Sequence, residues 1–128
     1  MTNIIKTINN YIKINIDGVT LYNDLFPKAD TLGVVSIHDP APRKIDEYID
    51  GSADYQLNVS FNARYSNAKT CREKLTAILE LLDGARLDDI DDGFLLKIEN
   101  VANVQFVGID DKNNSIYSAG VSVAYTKS

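Results

Sequence analysis

The sequence predicts an α+β fold, a mostly antiparallel β-sheet with a long β-hairpin and two main helices packed on one face. Residues 55–65 alternate apolar and polar side chains without a break, which is the pattern of a strand with one buried face. Two further segments carry apolar residues at helical spacing. The resulting order of elements is helix, strand, hairpin, helix, hairpin, which places runs of antiparallel strands around two helices.

The first helix is predicted over residues 3–16, where isoleucines recur near helical spacing and Thr2 or Asn3 caps the start. Asp17-Gly18 then forms a turn. Residues 19–26 are ambiguous between helix and strand, and Pro27 ends whatever they form. Gly33 through Ile37 is predicted to be a short strand.

A hairpin is predicted to pair residues 43–50 with 55–62, joined by a turn in which Gly51 supplies a positive φ. Pro40 and Pro42 stop the partner strand early, so the far end of the long strand must pair with another segment. At about 3.3 Å per residue, segment 55–65 is roughly 36 Å long, about twice a typical strand. We therefore expect its surplus backbone groups to pair beyond the subunit.

The second half begins with the clearest helix, residues 66–83, which Ser66 or Asn67 caps and Gly84 ends. Residues 88–93 are predicted to be a loop. Two strands follow, over 94–109 with a break near Glu99-Asn100 and over 115–126. The polar residues 110–114 join them as a hairpin loop.

Composition favours one domain over residues 1–128 and argues against several classes of function. The chain carries 18 acidic and 13 basic residues, a formal charge of −5, and the bases are scattered. Sequence-specific binding of nucleic acid is therefore not expected. The single cysteine fits a reducing compartment. The sequence shows neither a signal peptide nor an apolar run long enough to span a membrane.

The residues offer no recognisable catalytic set, and we expect neither enzymatic activity nor a cofactor. His38 is the only histidine and has no evident nucleophile to activate, and Cys71 lies on the apolar stripe of its helix. The acidic run Asp88, Asp89, Asp91 and Asp92 has oxygen ligands that suit Ca²⁺ or Mg²⁺, but it lacks the spacing of a calcium-binding loop. A solvated loop is the preferred interpretation.

Two stretches of the chain resemble the tail terminators, or minor capsid proteins, of long-tailed bacteriophages. The first is Tyr48-Ile49-Asp50-Gly51-Ser52, followed by the alternating strand through Phe61 and Arg64 and then a helix. The second is Phe106-Val107-Gly108-Ile109-Asp110, a polar turn, and then Ile116-Tyr117-Ser118. The similarity spans roughly residues 45–126.

This resemblance implies a compact α+β subunit of a hexameric ring on the virion, assembled in the bacterial cytoplasm. Such a ring stops polymerisation of the tail tube and presents the head-proximal surface that docks with the connector. The implied partners are other copies of the chain, the tail-tube protein and the head–tail connector or stopper protein. The isolated protein is compatible with a monomer, because ring subunits often assemble only on their template.

The long strand and its hairpin supply the residues that we expect at contacts between subunits. Tyrosine suits such contacts because it joins apolar area to a hydroxyl group, although packing within the subunit's own core is an equal alternative. The expected interface comprises Tyr48, Asp50, Gly51, Tyr55, Phe61, Arg64 and Tyr65. A second hypothesis places Asp88, Asp89, Asp91 and Asp92 at a DNA-conducting lumen, where acidic side chains repel phosphate. Solubility explains the same four residues equally well.

Two other functions remain open at the level of sequence. A head-completion or stopper protein is also a small ring component at the head–tail junction. A small metal-binding or enzymatic α+β domain would need a pocket of convergent polar groups, which the sequence does not reveal.

Overall fold

The computed structural model describes residues 2–23, 25–28, 31–39, 41–88 and 95–127. The helices are α1 (Thr2–Asn15) and α2 (Ala68–Leu82). The strands are β1 (Leu21–Asn23), β2 (Gly33–His38), β3 (Arg43–Glu47), β4 (Ala53–Tyr65), β5 (Arg86–Asp88), β6 (Leu95–Ile109) and β7 (Ser115–Lys127). The fold is α+β, as the sequence predicted.

All described strands belong to one sheet, in the order β1-β2-β4-β7-β6-β5, and β3 also pairs with β4. Only the pair of β1 and β2 is parallel among these described strands. β4 and β7 pair along their whole length, from Ala53 opposite Lys127 to Tyr65 opposite Ser115. This long central pair organises the sheet.

The expectation that β4 has unpaired backbone groups for a neighbouring subunit is wrong. One edge of β4 pairs with β7, and the other pairs with β3 over residues 53–56 and with β2 over residues 59–64. Between those two partners, the Asn58 carbonyl accepts from the Asp39 N–H at 3.1 Å, and the Asn58 N–H donates to the Asp39 carboxylate at 3.2 Å. The surplus length of β4 is therefore used within the chain, because two short strands share one of its edges.

The hydrophobic core lies between the helices and one face of the sheet. The period of two in β4 places its odd-numbered residues on this face, and Leu57, Val59 and Phe61 are almost completely buried there. Val121 and Val123 of β7 extend the same apolar face. Each large side chain buried in this way stabilises the fold by about 1.5–3 kcal/mol.

Both predicted helices are confirmed to within two residues at each end, and both contribute to this core. In α1, the spacing of Ile4, Ile8 and Ile12 puts three fully buried side chains on one stripe. In α2, the Asn67 side chain accepts a hydrogen bond from the Thr70 N–H at 2.8 Å, so the cap is Asn67. Gly84 follows the helix with φ of +72°.

The first hairpin is confirmed, but its predicted bounds of 43–50 with 55–62 are wrong: residues 43–47 pair with 53–56, because the chain turns earlier, at residues 48–52. The other strand predictions are confirmed in outline. β2 and β7 match their predicted ranges to within one residue at each end. β6 is continuous where a break was expected, because the irregularity near Asn100 is a shift in register against β7. β1 and β5 were not predicted, and β1 lies within the segment whose structure the sequence left ambiguous.

Candidate assembly surface

The turn at residues 48–52, which joins β3 to β4, is held by its own hydrogen bonds. The Tyr48 carbonyl accepts from the Gly51 N–H at 3.0 Å, and the Tyr48 N–H donates to the Ser52 carbonyl at 2.8 Å. Asp50 Oδ1 accepts from the N–H and the hydroxyl of Ser52, at 3.0 and 2.6 Å. Gly51 has a φ of +89°, as the turn prediction required. The turn is therefore a defined structure that carries the exposed side chain of Ile49.

Hydrogen bonds also shift the pKa values of groups at and beside this turn. The bond from the Ser52 side chain holds the pKa of Asp50 below its ordinary value. Hydrogen bonds from the hydroxyls of Thr126 and Tyr48 lower the pKa of Asp54. The bond between Tyr48 and Asp54 also raises the pKa of Tyr48. The lowered pKa favours the ionised form of Asp54.

Tyr55 connects the turn to the edge of the core. Its half-buried ring stacks on Tyr125, with centroids 5.5 Å apart and planes inclined by 19°. The structure therefore brings four of the expected interface residues to the N-terminal end of β4: Tyr48, Asp50, Gly51 and Tyr55.

Beside these residues, the sheet face opposite the helices forms a concavity of about 620 Å³, which we call the sheet groove. Its walls include two exposed apolar side chains, Ile45 and Leu95. Strand register places Arg43, Gln56, Ala124 and Lys97 in one row across it. The full lining is Arg43, Ile45, Asp54, Tyr55, Gln56, Leu95, Lys97, Ala124, Tyr125 and Thr126.

Hydrogen bonds order the polar floor of the sheet groove. Arg43 Nη2 donates to Gln56 Oε1 at 3.0 Å, and Gln56 Nε2 donates to Ser122 Oγ at 2.6 Å. The lining also carries the exposed basic residues Arg43 and Lys97 and one acidic residue, Asp54, for a net positive charge. This groove suits a ligand that combines an apolar part with negative charge.

The other three expected interface residues do not join this surface. Phe61 is fully buried in the core, so its side chain is out of reach of a neighbouring chain. The prediction that Phe61 lies at an interface is therefore wrong. The position follows from its odd number in β4, which faces the helices. Tyr65 is half-buried, its hydroxyl has no hydrogen-bond partner among the described residues, and burial raises its pKa.

Arg64 is held by contacts within its own chain. Its Nε and Nη2 donate to the Thr31 carbonyl at 2.8 and 2.6 Å, and Nη2 also donates to the Lys28 carbonyl at 3.2 Å. The guanidinium lies 4.2 Å from the centre of the Phe26 ring, and Nε is 3.8 Å from Asp110 Oδ2. Arg64 therefore fastens the described parts of the segment before β2 to the sheet.

A second exposed apolar surface lies at the opposite end of the sheet, and the sequence analysis did not single it out. Phe106, Val107 and Ile109 of β6, which we call the β6 end, are each more than half exposed. Phe106 packs edge-on against Tyr117, with centroids 5.4 Å apart. Among the described residues, no strand pairs with the outer edge of β6 beyond Ile98. The adjacent apolar residues Phe106 and Val107, which break the period of two, were the available signal.

The β6 end leads into the acidic turn at residues 110–114. Asp110 Oδ1 accepts from the N–H groups of Lys112 and Asn114, both at 2.9 Å. These bonds, chiefly the one from Asn114, lower the pKa of Asp110. Asn113 has a φ of +65°, which an asparagine tolerates in a turn. The exposed Asp111 follows Ile109 by two residues and adds negative charge beside the apolar side chains.

The acidic run at residues 88–92, Cys71 and His38 were the residues considered for metal binding or catalysis. Asp89, Asp91 and Asp92 lie outside the described residues, and Asp88 is the last residue of β5. Cys71 is fully buried, and burial raises the pKa of its thiol. The ring nitrogen Nδ1 of His38 lies 2.7 Å from the Asp39 carbonyl oxygen. Within the described ranges, no three His, Cys, Asp or Glu side chains are placed to share a metal ion, and neither helix could cross a membrane.

Comparisons with known proteins show a likeness in structure alone. No protein-family model matches the chain, and no curated protein matches it. The chain is similar to one in a solved structure described as the virion of a native gene transfer agent (GTA) particle, with a TM-score of 0.70. The similarity covers 95% of this chain and 93% of the other at 10% sequence identity. At this identity the likeness establishes a shared fold.

Proposed function

We propose that the protein is a structural component of a tailed-phage virion, and specifically a tail terminator. In this role it assembles into a ring at the head-proximal end of the tail, stops growth of the tail tube and offers the surface that docks with the head. It works by contact and geometry, without catalysis. The fold shared with a chain of a virion particle supports the general role, and the resemblance of residues 45–126 to tail terminators supports the specific one.

The observation that carries the proposal is the placement of two different exposed apolar surfaces at opposite ends of one sheet. The sheet groove and the turn at residues 48–52 lie where β4 begins, and the β6 end lies where β4 finishes. Contact between two unlike patches is heterologous, and it generates a closed ring when the rotation between copies completes a circle. A single chain with such a pair of surfaces is therefore suited to cyclic assembly.

The charge of the chain agrees with a ring that conducts DNA. Six copies at −5 each would carry −30, and a negative lumen does not retain phosphate. We retain Asp88, Asp89, Asp91 and Asp92 as the residues proposed to face this lumen. The remaining proposed partners are the tail-tube protein on one ring face and the connector or stopper protein on the other.

The length of tails made without this protein tests the terminator role. We expect tubes that grow past their normal length, because nothing stops polymerisation, and supply of the unaltered protein should restore a uniform length. Electron microscopy of negatively stained lysates gives the distribution of lengths. Tails of normal length that fail to join heads would contradict the terminator role and assign the protein to the head-side adaptor class.

A further inference from the structure

The sheet groove is built for an apolar segment that carries negative charge. Ile45 and Leu95 line it with more than 40% of each side chain exposed. Arg43 and Lys97 lie in the same row of residues, three strands apart, and add two positive charges against the one negative charge of Asp54, so the lining carries a net charge of +1. Exposed apolar side chains rimmed by polar groups mark a surface that a partner covers.

The β6 end has the complementary chemistry. Phe106, Val107 and Ile109 are 59%, 58% and 60% exposed, and the exposed Asp111 follows directly in the turn. The turn carries Asp110 and Asp111 against Lys112, a net charge of −1, and the groove carries a net charge of +1. Apolar side chains beside a net negative turn therefore match apolar walls beside a net positive lining. Opposite charges arranged in this way fix the orientation of a contact more than they strengthen it.

One copy of the chain cannot bring these two surfaces together. The row of the sheet groove crosses β4 at Gln56, whereas Ile109 belongs to the row of Ser115 and Tyr65. These rows are nine residues apart along β4, which is about 30 Å at 3.3 Å per residue. Because the strand between them is part of a paired sheet, the contact must involve a second molecule.

We propose that the β6 end of one copy occupies the sheet groove of the next copy. In this arrangement Ile109 and Phe106 contact the walls formed by Ile45 and Leu95, and Asp111 approaches Lys97. The inference rests on the proposed ring and names the contact that joins its subunits. Every copy then offers one groove and one β6 end, so the contact propagates from copy to copy.

Disulfide trapping tests this contact in the purified protein at its highest soluble concentration. One preparation carries Ile109→Cys and the other, of different isotopic mass, carries Ala124→Cys. Cys71 stays in place because it is fully buried. We expect mixed disulfides between positions 109 and 124 to form at least about tenfold faster than between control cysteines, because docking raises their effective concentration. The control pair is Ile14→Cys with Ala124→Cys, since Ile14 is 80% exposed on α1.

The pattern of products decides between arrangements. A chain with both Ile109→Cys and Ala124→Cys should form a ladder of covalent multimers, as head-to-tail contacts require. Mixed disulfides at the control rate, or a predominance of 109–109 and 124–124 products, would overturn the proposal. The second result would indicate a symmetric contact between like surfaces.

Charge reversal supplies an independent test of the orientation. Lys97→Glu in the Ala124→Cys chain should slow trapping several-fold, and Asp111→Lys in the Ile109→Cys chain should restore it. Both positions are exposed, so the fold should tolerate the changes. A rate of trapping that neither change alters would show that the side chains of Lys97 and Asp111 do not approach each other.

The trapping experiment and the measurement of tail length test different claims, so either claim can fail without the other. Trapping at the control rate, combined with overlong tails in the absence of the protein, would leave the terminator role intact and remove only this contact. Rapid trapping combined with tails of unchanged length would leave the contact intact and remove the terminator role.

Discussion

At the scale of single residues, the place of a side chain in the fold decides whether it contacts its own chain or is exposed for contact with another. Arg64 and Phe61 both belong to the alternating segment that the sequence marked for assembly. Arg64 instead binds the carbonyls of Lys28 and Thr31, and Phe61 fills the core. The residue types were compatible with either role, since arginine and aromatic side chains serve in interfaces and in folded interiors alike.

Asp110 gives the first prediction, which concerns pH. Its pKa in the folded chain lies below the ordinary value of 3.8, so ionisation of Asp110 stabilises the fold at pH values above 3.8. This contribution disappears as the pH falls through the lowered pKa. We expect Asp110→Asn to lower the free energy of unfolding at pH 7, and its difference from the unaltered protein to shrink below about pH 4. Urea denaturation over a range of pH measures both quantities.

The neighbouring aspartate provides the control for this measurement. Asp111→Asn removes one negative charge from the same turn, but it leaves the bonds from Lys112 and Asn114 to Asp110 in place. Its free energy of unfolding should stay within about 0.5 kcal/mol of the unaltered protein at pH 7. A difference between Asp110→Asn and the unaltered protein that persists undiminished at pH 3 would refute the assignment.

At the scale of elements, the turn at residues 48–52 shapes the surface beside the sheet groove. Gly51 has a positive φ and no atom within 4 Å of the position of an added Cβ. We expect Gly51→Ala to cost about 1–2 kcal/mol, all of it from the backbone conformation. Chemical denaturation measures this cost.

Gly108 is the matched control, because it also has open space around an added Cβ but no positive φ. Gly108→Ala should change stability by less than about 0.5 kcal/mol. Equal effects of the two substitutions would show that the backbone of the turn is not strained at Gly51.

Strongly periodic elements and the two hairpins were predictable from the sequence, and the other strand pairs were not. The period of two in β4 and the helical stripes of α1 and α2 gave correct elements, because burial of one face requires those patterns. β1 and β5 have three residues each, which is too short to show a period. The pattern of β4 also could not reveal that β2 and β3 share one of its edges, so its length alone gave a wrong expectation of free backbone groups.

The candidate surface was predictable only in part, for the same reason. Turn chemistry led to Tyr48, Asp50 and Gly51, which lie beside the sheet groove. The groove itself draws on residues from β3, β4, β6 and β7 that are distant in sequence. Only the register of the strands brings Arg43, Ala124 and Lys97 into one row.

At the scale of the whole molecule, the account depends on the two ends of the sheet being unlike and complementary. Backbone pairing is satisfied along β4, so this strand offers a neighbouring copy side chains and no free ladder. Their separation along the strand makes the contact directional. A directional contact that closes on itself sets a fixed number of copies, which is what a component at the end of a tube requires.

The central claim of the account is that the protein ends the tail, and locating the protein on isolated tails tests this claim most directly. Tails that incorporate Ile14→Cys, an exposed position outside both proposed surfaces, can be labelled with a thiol-reactive gold particle and imaged. We predict label at one end of each tail, the end that joins the head. Label distributed along the tube, or tails without label whose length is nevertheless normal, would contradict the account.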